Sequence, residues 1–325
     1  MLDIITFGSA TWDVFLRPKN YQVVRDKGFV AGKGVCFDLG SKVDVEKVEL
    51  SSGGGGTNTA ATFAKQGFKV AYCGRVGDDI SGQEIIRELK ELGVETQFVL
   101  KTKLKPTNHS VILSLPKEDR TILVHRGASE ILCERNIPWT KLEAKWFYLA
   151  PLSGKLCEIT EDLVNFASKK GIKIAFNPGN SQLSLPKDVL KKVLQKVNVL
   201  ILNQEEASLL TKLPYTQEAK IFKKIDELSP GIAIMTKGSQ GIVVSDGKYL
   251  WKAKSSKVKV VDGTGAGDSF GSGFVSGFIR SKKMEEIIQL GIANANSCLG
   301  QWGAKKGLLG KGDKFPKIKI EKVKL

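Results

Sequence analysis

Val261-Asp262-Gly263-Thr264-Gly265-Ala266-Gly267-Asp268-Ser269-Phe270 is the stretch on which the reading of this chain turns. Residues 257–261 before it alternate like a short strand. After it, Phe270, Phe274 and Phe278 recur every four residues and predict a helix over 270–279. A glycine-rich turn feeding a helix presents unpaired backbone N–H groups and the positive end of the helix dipole. Such a turn suits an anion, either a phosphate or the charge on a phosphoryl group in transfer. Glycine at 263, 265 and 267 lets the backbone approach a ligand with no Cβ between. A carboxylate at 268 would repel that ligand unless it had a task. It could be a general base beside an acceptor hydroxyl, or it could cap the helix, where Asp is favoured. These residues alone leave both open.

Two other phosphate turns are excluded. Gly-x-x-x-x-Gly-Lys-Ser/Thr occurs nowhere, and the third glycine of a dinucleotide fingerprint would fall on Asp268 or Phe270. A nicotinamide oxidoreductase therefore lacks its signature.

Outward from the turn, short β-branched runs alternate with amphipathic segments. Strands are expected at 70–74, 145–150, 172–177, 197–203, 232–236 and 242–246. Between them lie helices such as 81–92, where Ile85, Ile86, Leu89 and Leu92 form one apolar stripe before Gly93. Strands spaced by helices predict an α/β fold: a mostly parallel sheet with helices on both faces. Two segments break the rhythm. Residues 42–50 alternate at period two, and 109–115 with 120–125 read as a hairpin turning at Pro116-Lys117-Glu118-Asp119. They predict a small β-sheet lid over a cleft, or else an edge extension of the main sheet. The expected division is 1–13, 51–107 and 126–325 for the core, with 14–50 and 108–125 for the lid.

Ser51-Ser52-Gly53-Gly54-Gly55-Gly56-Thr57-Asn58 opens an apolar helix through Ala60, Ala61, Phe63 and Ala64. Its glycines allow close approach to a ligand and Asn58 offers both donor and acceptor; a flexible hinge is the alternative. With Arg75-Val76-Gly77-Asp78-Asp79-x-x-Gly82 in the middle, these motifs resemble, in order, those of the ribokinase-like (PfkB) carbohydrate kinases. The likeness runs from Asp3 to about Gly303, nearly the whole chain.

The resemblance implies an ATP-dependent kinase with the two-part fold already read, a Rossmann-like core and a small β-sheet lid. It makes Asp268 the catalytic base and Gly265, Ala266 and Gly267 the anion hole. Asn203 and Glu206 resemble an Asn-x-x-Glu that serves ATP and, through water, Mg²⁺. Thr236, Gly238 and Gly241 resemble a nucleotide-binding turn, and Asn294 falls near the expected adenine pocket. Asp13, Gly53, Gly54 and Asn58 would bind the acceptor, while Asp262 and Thr264 sit where K⁺-stimulated relatives hold a monovalent cation. The implied acceptor is a sugar. A sugar phosphate, as in phosphofructokinase-like relatives, or a nucleoside is the alternative, and Arg75 and Arg126 are compatible with a phosphorylated one. The segment between Asp13 and Gly53 is long for the family, and Gly263 stands where Thr is commoner.

Composition narrows the rest. At 42% hydrophobic over 325 residues the chain can bury a sizeable core, and no run of about 18 apolar residues predicts a membrane span. The N-terminal residues read as a strand, not as a signal peptide. Five scattered cysteines without Cys-x-x-Cys spacing predict free thiols and a cytoplasmic location. Two histidines make a zinc site improbable and have no Gly-x-Ser-x-Gly elbow to serve. The +16 charge attracts anions. Its clearest cluster, residues 311–325, carries six lysines against Asp313 and Glu321. No finger spacing or aromatic RNA-binding pattern accompanies it, so no specific nucleic-acid recognition is expected. A non-catalytic basic binding protein remains the rival from a different class. An extended lid could also pair two copies across a two-fold axis.

Overall fold

The computed structural model describes residues 1–29, 32–115, 120–256 and 258–325. Among the described residues the main sheet has ten strands. From one edge to the other they are Ile320–Lys324, Tyr249–Ala253, Ile242–Ser245, Ile232–Thr236, Val199–Asn203, Lys173–Phe176, Ala144–Leu149, Leu2–Phe7, Val70–Gly77 and Val99–Thr102. Ile232–Thr236 through Val99–Thr102 run parallel, and the three strands beyond Ile232–Thr236 are antiparallel. The parallel strands are apolar on both sides. Ile5, Phe7, Phe147 and Leu149 enter one buried cluster, while Ile4, Trp146 and Tyr148 enter another on the opposite face. A sheet covered by helices on both faces requires that pattern.

The chain enters the sheet at Leu2–Phe7, builds outward through Val70–Gly77 on one side, then returns to build through Ala144–Leu149 on the other. The order reverses between the first strand and Ala144–Leu149, and crevices at the carboxyl ends of such strands are where open α/β sheets bind ligands. The glycine run lies there. A Cβ on Gly8 would meet Gly56 N at 2.5 Å and Ala150 Cβ at 3.0 Å, so only bare backbone fits at this crossing.

A second sheet runs Val45–Gly53, Thr11–Pro18, Asn108–Leu113, Thr121–His125. Thr11–Pro18 pairs antiparallel with the first and parallel with Asn108–Leu113, which pairs antiparallel with Thr121–His125. It is a separate sheet, not an extension of the large one. Residues 11–13 and 51–53, assigned to the core from sequence, are the roots of its strands. The long segment after Asp13 also forms a two-stranded hairpin, Gln22–Arg25 with Lys33–Cys36. The expected turn at 116–119 lies outside the described residues.

One expected strand is absent. Lys257 lies outside the described residues, and 258–260 form no strand. Val258 and Val260 alternate because they line a cleft, not because they pair with a neighbour.

Candidate active site

Asp13 stands in the lid strand Thr11–Pro18, opposite Ser51 on one side and Ser110 on the other. It is 5% exposed. Burial pushes its carboxyl up to about 6, against the Ser110 hydroxyl and the charge of Lys305, while Asp262 adds to the rise. A Cβ on Gly53 would lie 2.0 Å from Asp13 Oδ2, so the carboxylate packs directly on that glycine. Gly54, with φ of 94°, sits just before the helix Gly55–Lys65 in a conformation that favours glycine.

Asn58, buried in that helix, donates from Nδ2 to Asp268 Oδ2 at 2.8 Å. Its Oδ1 is buried and accepts no hydrogen bond from the protein. Asp268 itself lies in the first turn of the helix Ala266–Ile279, whose N-cap is Gly265. Its carboxylate bonds Asn58 and not a backbone N–H of that turn, so the geometry is not that of a cap. Burial raises its pKa above the usual carboxylate range, with the Asn58 bond and Lys305 opposing. A Cβ on Gly55 would lie 3.4 Å from Asp268 Oδ1, which sets Asp268 above the point where the strand order reverses.

The turn before the helix is built tightly. Gly265 has φ of 75°, and a Cβ there would come within 2.3 Å of Ala304 Cβ. Asp262 Oδ1 accepts from Thr264 N at 3.1 Å and Thr264 Oγ1 at 2.9 Å, and its Oδ2 accepts from Gly303 N at 3.1 Å. Asp262 and Thr264 thus brace the turn through one another. Arg120, at the start of the last lid strand, lays its guanidinium against Gly263, 2.8 Å from where a Cβ would stand.

Beyond Ala266 and Gly267 opens a cleft of about 440 Å³. Thr236, Gly238 and Gly241 line it, as does an apolar wall that includes Ile242, Phe270, Ile292 and Leu299. Sequence reasoning missed that wall, together with Val258, Val260, Ala295 and Asn296. Asn294 is corrected. It is fully buried, donates to Ser269 O at 2.7 Å and accepts from Leu309 N at 2.9 Å, so it ties the C-terminal segment to the core. The helical period explains the error: two residues along one helix, Asn296 faces the cleft while Asn294 faces inward.

Asn203 and Glu206 form a reciprocal capping box on the helix Gln204–Thr211, with both bonds 2.8 Å. Burial raises the Glu206 pKa, against its bond from Asn203 N. Among the described residues no three His, Cys, Asp or Glu side chains cluster as a metal site. Glu206 is the carboxylate available at the carboxyl end of Val199–Asn203.

Lys305 was also missed. It is 4% exposed in the bend after the helix Met284–Leu299, and its Nζ donates to Ser52 Oγ. The same bend grips the lid. Trp302 packs edge-on against Phe15, with Arg17 and Lys47 over its ring, and Lys306 pairs with Glu49.

Comparison with known proteins identifies the family and the fold. A curated protein of Archaeoglobus fulgidus described as an uncharacterized sugar kinase is 28% identical over 76% of this chain and 97% of its own length. The cytidine kinase of Thermococcus kodakarensis is 27% identical over 93% of this chain and 98% of its own. The ribokinase of Arabidopsis thaliana, solved with ribose and ATP, superposes with a TM-score of 0.75 at 22% identity, covering 95% and 96% of the two chains. A family profile described as pfkB family carbohydrate kinase matches residues 29–308. This chain belongs to the pfkB family of carbohydrate kinases and is an ATP-dependent phosphotransferase.

Proposed function

We propose that the chain transfers the γ-phosphoryl group of ATP to a hydroxyl of a sugar or nucleoside, with Asp268 as the general base. The observation that carries this reading is the Asn58–Asp268 pair at the reversal point of the sheet, beside the Gly265–Gly267 turn. Asn58 orients Asp268, and burial makes the carboxylate a stronger base than an exposed one. The backbone amides of 265–267 oppose the charge of the phosphoryl group in flight. ATP occupies the cleft between Thr236–Gly241 and Ala266–Gly267. Glu206 would hold Mg²⁺ through water, and the ion would supply charge neutralisation on the phosphates. Asp13, Gly53, Gly54 and Asn58 hold the acceptor.

The two arginines that made a phosphorylated acceptor attractive are otherwise engaged. Arg75 donates to Ile131 O, and Arg126 bonds Glu130 and Ser153. An unphosphorylated acceptor is the first to test, with Arg75 Nε still buried and unpartnered. Release of ADP from Mg-ATP, screened over pentoses, hexoses, their phosphates and nucleosides, tests the reading. No turnover with any of them, or turnover confined to sugar phosphates, would count against it.

The lid also exposes Val48, Leu50 and Leu123, which the strand register places on one face. An apolar face of this kind supports pairing of two copies through the lid, and sedimentation at micromolar concentration tests it.

A further inference from the structure

A lysine is seldom buried unless it is paired, and Lys305 meets two elements. Its Nζ donates to Ser52 Oγ, at the root of a lid strand, and lies 3.5 Å from Glu88 Oε2 on the helix Ile80–Glu91. Ser52 Oγ donates to the same carboxylate oxygen. Glu88 keeps 34% of its side chain exposed, so water shares in stabilising it.

The backbone of residues 52–55 explains what Lys305 is close to. Ser52 receives its ammonium, Gly53 packs on Asp13 Oδ2, and Gly55 lies against Asp268 Oδ1. Four consecutive residues thus hold one cation and two carboxylates against a single turn of chain. Burial disfavours ionisation of both carboxylates, Asp262 adds a like charge at Asp13, and an arriving triphosphate adds further negative charge. The groups acting on them are Ser110 and Asp262 at Asp13, and Asn58, Tyr148 and Cys298 near Asp268; the positive charge comes from Lys305.

We infer that Lys305 is a positioning residue that fixes the charge of the acceptor site, letting Asp13 and Asp268 be ionised together beside the transferring phosphoryl group. The inference rests on the proposed role of Asp268. Burial lowers the pKa of the Lys305 ammonium, and Glu88, Asp13 and Asp268 oppose that shift.

The test is the pH profile of kcat/KM for the acceptor, together with a ¹³C NMR titration of labelled aspartate carboxyls that needs no turnover. Removing a nearby cation raises a carboxylate pKa, so Lys305→Met should move the acid limb to higher pH by roughly one unit. The Asp13 carboxyl should move with it. Lys305→Arg, which keeps the charge, should return the limb toward wild type. If Lys305→Met folds poorly, the double variant Lys305→Met, Glu88→Gln leaves no stranded carboxylate and should show the same shift. A profile and titration that superimpose on wild type, in whichever variant folds, overturn the inference. Full turnover by Asp268→Asn would instead overturn the proposed base, and the two failures are separately visible.

Discussion

The two halves of the cleft, proposed above to take the nucleotide and the acceptor, offer their ligands different physics. The nucleotide half is walled by Ile242, Val258, Val260, Phe270, Ile292 and Leu299, with small residues at Gly238, Gly241 and Ala295. It suits a flat apolar base by shape and burial. The acceptor half places Asp13, Asn58, Asp268 and Lys305 in low-dielectric surroundings, with every one of these side chains shifted, paired or orphaned. A shape-based wall tolerates change of side chain as long as volume is kept, whereas a buried charge network does not. Substitutions should therefore have unequal effects on the two sides.

The largest effect is expected from Asp268→Asn. It keeps the size and hydrogen-bonding reach of the side chain but removes the basicity, so kcat should fall about 10²–10⁴-fold. The melting temperature and ATP binding should stay near wild type. Turnover within a few-fold of wild type would place the chemistry elsewhere.

Next comes Asp13. A hydrogen bond to a charged group contributes about 1.5–3 kcal/mol, so Asp13→Asn should raise the acceptor KM roughly 10- to 100-fold and leave the ATP KM nearly unchanged. The same carboxylate gives a pH signature. With its pKa near 6, Asp13 is charged above that value and protonated below it, so acceptor binding should weaken as pH falls through 6. An acceptor KM that is flat from pH 7.5 to 5 would contradict the assignment.

On the other side of the cleft, Ala295→Trp should crowd the nucleotide wall. Overpacking costs about 1–3 kcal/mol, so the ATP KM should rise roughly ten-fold or more while the acceptor KM holds. Equal changes in both constants would mean that the halves are not independent. The smallest effect is expected on exchanging K⁺ for a bulky organic cation at constant ionic strength. Asp262 and Thr264 already brace each other and Gly303, so a bound cation would stiffen the turn, not complete it. Turnover should fall only a few-fold, and complete loss would show the turn to be cation-dependent.

The parallel core was legible because its strands are buried on both faces and read as continuous apolar runs, as at Ile232–Thr236. The motif glycines were legible because close approach demands them. Gly53 against Asp13 and Gly265 against Ala304 are contacts that any side chain would break. What stayed hidden depends on tertiary placement. Lys305 is one of many lysines, and nothing local marks it as buried; only the return of the chain past Ser52 and Glu88 does so. Asn294 and Asn296 differ by helical phase, which an asparagine pair does not reveal. Residues 258–260 alternate like a strand yet face a cavity, because alternation reports burial on one side and not the partner that supplies it.

The lysine-rich C-terminal segment has a consequence of another kind. Ile320–Lys324 closes the large sheet at one edge, paired on one side with Tyr249–Ala253. Its other side presents backbone donors and acceptors that could template a foreign strand. Lys322 leans back over the rings of Tyr249 and Trp251, and Lys319 and Lys324 flank it at either end of the strand. Charged edge strands resist such pairing because a second strand would have to bury or crowd like charges. Part of the chain's positive excess thus acts against self-association of unpaired sheet edges, a matter of colloidal behaviour and not of catalysis.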